Sequence, residues 1–153
     1  MSRIIYTNSD GTVSILQPIL TEINPKTGNA FTIEEIAAKD VPSGTSYEIV
    51  DDSVIPTDRS FRDAWKQNSK TIETDMEKAK ELHKTNIRNA RTSKLVELDI
   101  EFQKALETSA TTTNIVNKKQ ALRDAPADSA ISSASDEAAL KAQWNTTILG
   151  ASP

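Results

Sequence analysis

The chain has 153 residues, a net charge of −4 and no cysteine, and only 37% of it is hydrophobic and 5% aromatic. Such a length suits one domain or two small ones with a thin, mostly aliphatic core. The acidic balance speaks against nucleic acid as a global partner. The missing cysteines exclude a disulfide framework, a thiolate metal site and a cysteine nucleophile, and no run approaches the ~20 apolar residues of a membrane span.

Ile4-Ile5-Tyr6 is apolar and rich in β-formers, and the turn signal Asn8-Ser9-Asp10-Gly11 follows it. Thr12-Val13-Ser14-Ile15-Leu16 then alternates, so residues 3–7 and 12–16 read as a β-hairpin that Pro18 terminates. Asn24-Pro25-Lys26-Thr27-Gly28-Asn29 is built of turn residues. Thr32-Ile33-Glu34-Glu35 fits a capping box, opening a short helix that ends near Lys39, before Pro42 and Gly44. Ser46-Tyr47-Glu48-Ile49-Val50 reads as a third strand, closed by Asp51-Asp52-Ser53. After Pro56, a second short helix capped by Thr57 or Asp58 would put Phe61, Ala64 and Trp65 on one face, directed at the sheet. The expected head spans residues 1–66, near the size at which a lone core is marginal. The polar run Gln67-Asn68-Ser69-Lys70 makes 67–73 a candidate hinge.

Residues 74–153 read as helical, so the fold class is α+β. Thr74-Asp75-Met76-Glu77 matches a second capping box, and neither glycine nor proline interrupts the chain from there to Leu106. Apolar residues recur at helical steps, with Met76, Ile87 and Leu98 eleven apart. An eleven-residue repeat implies a straight or slightly right-handed helix. Spanning about 75–107, it would be roughly 45–50 Å long, too long for the head to shelter. Thr108-Ser109-Ala110-Thr111-Thr112-Thr113 breaks it. A helix over about 114–125 presents Ile115, Val116 and Leu122 and ends at Pro126. After a small, polar loop over 127–135, a last helix over about 136–145 is expected, capped by Ser133 or Ser135 and carrying the pair Leu140 and Trp144.

No spacing of carboxylates singles out a catalytic pair, the four glycines are isolated, and no phosphate-cradling loop or dinucleotide fingerprint is present. Neither a cofactor nor a resident metal is expected. Asp51-Asp52 is more readily a turn than a Ca²⁺ site, which would need more oxygen ligands. The single histidine, His83, has Ala79 and Ile87 one turn to either side and reads as a surface or interface residue. Lys84, Arg88 and Arg91 share a face of the long helix. That face is either a docking stripe for an acidic protein surface or a solvated helix side.

The segments 3–14, 41–50 and Pro56-Thr57-Asp58-Arg59-Ser60-Phe61-Arg62-Asp63-Ala64-Trp65, followed by Leu98-Asp99-Ile100-Glu101-Phe102-Gln103-Lys104-Ala105-Leu106-Glu107, resemble in order small tail-region proteins of bacteriophages. Lys119-Gln120-Ala121-Leu122-Arg123-Asp124 resembles phage tail-assembly and tail-fibre-assembly chaperones. The resemblance implies a non-enzymatic role in tail morphogenesis, in the host cytoplasm during assembly or in the virion tail. A tail-fibre or baseplate polypeptide, or a second copy of the chain, would be the partner; nucleic acid and membrane would not. The expected anchors on the helical half are Leu95, Leu98, Phe102, Leu106 and Trp144, with Lys84, Arg88 and Arg91 steering. The alternative is a permanent structural component that bundles with neighbouring subunits.

Overall fold

A computed structural model describes all 153 residues, Met1–Pro153. The chain is α+β, strands first and a long helix with shorter ones after, and forms two compact units, Met1–Asp75 and Met76–Pro153.

In the first unit, β1 (Ser2–Thr7) pairs antiparallel with both β2 (Val13–Leu16) and β3 (Tyr47–Asp51), giving the order β2-β1-β3. The β1–β2 turn is tied by Asp10, whose Oδ1 accepts from the Thr12 amide at 2.9 Å, and by Gly11 at φ 80°. Successive strand residues face opposite sides, so Ile4 and Ile5 on the central strand look into different layers. Both are completely buried. On the Ile4 side lie Ile36, Ala37 and Val41 from α1 (Ile33–Asp40) and its end. The capping box of α1 is formed: Thr32 Oγ1 accepts from the Glu35 amide, and Glu35 Oε2 accepts from the Thr32 amide at 2.9 Å. The same glutamate's Oε1 accepts from buried Asn24, which ties the preceding loop to the helix.

On the Ile5 side, Val13, Val50, Trp65 and Ile72 form the second cluster. Trp65 and Ile72 come from a hairpin, β4 (Trp65–Asn68) with β5 (Thr71–Thr74), which occupies the stretch expected to be a hinge. The polar run Gln67–Lys70 is the end of β4 and its two-residue turn. Trp65 and Ile72 face the core while their strand neighbours Lys66, Thr71 and Glu73 are exposed, an alternation that short segments of mixed polarity conceal in the sequence. The first unit therefore runs to Asp75 rather than to residue 66. The helix expected before Trp65 is only one 3₁₀ turn, Arg62–Ala64, because Trp65 is already extended at ψ 145°. Phe61, Ala64 and Trp65 are all buried nonetheless. Asp51 ends β3 by accepting from the Ser53 amide, and that bond, before any other influence, lowers its carboxyl to about 2.

In the second unit, α2 (Met76–Glu107) has 32 residues, ~48 Å at 1.5 Å per residue. It stops in a Schellman arrangement: Ser109, at φ 53°, donates to the Leu106 carbonyl and Ala110 donates to that of Ala105. The chain then turns back. α3 (Thr113–Asp124) runs antiparallel to α2, since Arg91 meets the carbonyls of Leu122 and Arg123 while Asp99 meets Lys119. A 3₁₀ turn over Ala125–Ala127 buries Pro126, and α4 (Ser129–Ser133), α5 (Glu137–Lys141) and α6 (Thr146–Leu149) follow, all packed on α2. The small, polar stretch expected as a loop over 127–135 thus holds α4, with Ile131 fully buried. The last expected helix is shorter than 136–145 and is capped by Asp136, not by a serine. Trp144 lies beyond it and holds the return to α6 by donating from Nε1 to the Gly150 carbonyl at 2.9 Å.

Two predictions follow from this geometry. Leu140→Ala, which empties a fully buried site between α5 and α2, should cost about 2–5 kcal/mol in urea denaturation. Ser69→Gly and Ser109→Gly relieve left-handed backbone (φ 53° at both) and should each raise stability by roughly 0.5–1 kcal/mol.

Candidate functional site

The buried face of α2 is marked by Ala79, His83, Ile87 and Leu98, so the eleven-residue spacing from Ile87 to Leu98 traces the covered side. This corrects the expectation that cover for the long helix must come from another chain: residues 113–149 of the same chain pack along it. Two of the expected anchors are consumed there. Leu98 is 9% exposed and Trp144 8%, the latter set edge-on against His83 with ring centroids 5.9 Å apart. Phe102 is half-buried, its ring covered by the Lys119 ammonium at 5.2 Å, and Lys119 is also paired with Asp99. Leu95 is half-buried, and Leu106 is 59% exposed.

The three cations do not act as a set. Lys84 is bound to Glu81 at 2.7 Å, and that hydrogen bond is the main reason the Glu81 carboxyl titrates below its ordinary value. Arg91 donates from Nη1 to the carbonyls of Leu122 (3.2 Å) and Arg123 (2.8 Å), so it closes the C-terminal end of α3, where a cation is favoured by the helix dipole. Arg88 alone of the three is exposed.

What remains uncovered is apolar and lies on the other side of α2. Val96 and Ile100 are each two residues from buried Leu98, and two residues are ~200° of helix, so both side chains point away from the bundle. They are 55% and 50% exposed. Leu106 (59%) and, on α3, Val116 (46%) are exposed as well. The outward direction of Val96 and Ile100 follows only once Leu98 is known to face the bundle. On the first unit, Ile19, Leu20 and Ile23 are also exposed, just past the strand-ending Pro18. A lone apolar run between a proline and a turn was the available signal for them.

His83, expected at the surface or an interface, is buried within the chain, and burial holds its pKa below the ordinary histidine value. No group of three or more His, Asp or Glu side chains is close enough together to hold a metal ion, and no helix is long and apolar enough to cross a membrane. A cavity of about 330 Å³ opens where α2, α3 and α6 meet, floored by Leu98 and Leu122, but Lys94 and Lys118 on its rim are balanced by Glu97 and Glu101.

The unfolded chain protonates His83 near pH ~6.5, where the folded chain resists protonation, so the folded state loses stability as the pH falls below that value. The urea midpoint should drop between pH ~7.5 and ~5.5, and His83→Gln should flatten the dependence over that window. Arg91→Ala should lower stability by about 1 kcal/mol by uncapping α3, whereas Arg88→Ala should leave it unchanged. Comparison with protein-family models, with curated proteins and with solved structures finds no match for this chain.

Proposed function

We propose that this protein is a phage tail or tail-fibre assembly factor, non-enzymatic, whose helical half binds a tail-fibre or baseplate polypeptide. The observation that carries the reading is the outward-facing apolar pair Val96 and Ile100, on the side of α2 opposite buried Leu98, with exposed Leu106 further along the helix. Large apolar side chains left exposed on an otherwise charged helix suit a protein-binding surface. The rim is charged and mixed in sign, with Lys94 paired to Glu97 and Lys119 to Asp99, which suits a partner that must be released or exchanged. The order of the segments along the chain, and their resemblance to phage tail-assembly proteins, supports the same reading. Arg88 remains available for steering; Lys84 and Arg91 do not.

The test is co-purification with co-expressed tail-fibre and baseplate polypeptides. Ile100→Asp with Leu106→Asp should weaken capture by about 2 kcal/mol, roughly 30-fold, while leaving helix content unchanged. Equal capture by wild type and variant would remove this surface from the account. Mass spectrometry of purified particles then separates an assembly factor, which should be absent, from a permanent tail component, which should be stoichiometric.

A further inference from the structure

The first unit is acidic: among residues 1–75, acids outnumber cations 12 to 7. It has three arginines, Arg3, Arg59 and Arg62, and all three line one small cavity of about 210 Å³. Its remaining lining is Ile15, Gln17, Ile55 and a single carboxylate, Asp52. Three guanidiniums drawn to one point in an otherwise negative unit are not diffuse surface charge.

The cavity is held in shape. Arg3 issues from the central strand, and its side chain is only 17% exposed. Its Nε donates to Asp52 Oδ1 at 2.5 Å, which fixes the plane of the fork and leaves the terminal N–H groups to spare. Arg59 and Arg62 stand on a rigid segment: Asp58 Oδ1 accepts from the Ser60 amide at 3.0 Å, the Arg62 amide donates to the Arg59 carbonyl at 3.1 Å, and Phe61 between them is buried. Neither Arg59 nor Arg62 has a carboxylate within ion-pair distance. One acid therefore faces three cations, and the site is short of negative charge.

We propose that this cavity binds a small oxyanion, a carboxylate or phosphate group, gripped by Arg59 and Arg62 with the free end of Arg3 completing the site. Guanidinium forks match the paired oxygens of such groups. The volume is below the ~300–1,000 Å³ of sites for drug-sized ligands, so the group that enters is small or is the tip of a longer molecule.

Nuclear magnetic resonance of the full chain tests this. The Arg3 Nε–H and the Ile15 and Ile55 amides are followed while inorganic phosphate or acetate is added, with sodium chloride at matched ionic strength as reference. Saturable shifts are expected. They should weaken about tenfold or more in Arg59→Ala with Arg62→Ala, and stay unchanged in Lys66→Ala, which removes an exposed cation of the same unit outside the cavity. Should the alanine pair disturb the amide spectrum, Arg59→Lys with Arg62→Lys reads the same quantity, since it keeps the charge and loses only the fork. A response to phosphate alone assigns the site to phosphate, and one to acetate alone to carboxylate. The proposal is overturned by shifts that chloride reproduces, by equal weakening in Lys66→Ala, or by no saturation with either anion.

Discussion

A helix of 32 residues presents apolar side chains in more directions than a single layer of neighbours can cover, and that limit governs the second unit. The turn at Ser109 sends the chain back along α2, and α3 to α6 settle on the face that carries His83, Ile87 and Leu98. Every helix in the return is short, and α4 to α6 have only four or five residues each. Segments of that length do not persist alone in water. They are held by side-chain caps from Asp128, Asp136 and Asn145 and by the buried side chains Ile131, Leu140 and Leu149. Having committed one face to this cover, α2 keeps Val96 and Ile100 on the other. The proposed interaction surface is thus what a one-sided packing solution leaves behind.

The first unit solves the opposite problem. A three-stranded sheet has two faces, and adjacent Ile4 and Ile5 bury one side chain in each. α1 closes the first layer and the β4–β5 hairpin the second. Trp65 is the large body in the second layer, the core packing that its face with Phe61 and Ala64 led one to expect. The arginines interleaved with it, Arg59 and Arg62, are left outward and gather at the cavity beside Arg3.

Much of this was legible in the sequence because local rules and packing agree. The Asp-Gly turn, the Thr32–Glu35 capping box and the uninterrupted helical period from Met76 each rest on a few neighbouring residues. The failures occur where long-range contacts decide. Gln67-Asn68-Ser69-Lys70 has a hinge's composition, and only Trp65 and Ile72 meeting Ile5 makes it a hairpin turn. Leu98 and Trp144 had the character of anchors, and only the reversal after Glu107 turns them inward. Arg91 looked like a steering charge because nothing near it in sequence reveals that the end of α3 arrives beside its fork. The three-arginine cavity was illegible for the same reason, Arg3 lying more than fifty residues from Arg59 and Arg62.

The chain order of α2 and its cover has a consequence for biosynthesis. Translation delivers Met76–Glu107 well before Leu122, Ile131, Leu140 and Trp144. At ~5–20 residues per second, the forty or so residues of the return take roughly 2–8 s to follow. Until those residues are made, α2 has neither apolar side covered, and the same polypeptide later supplies the cover for only one of them.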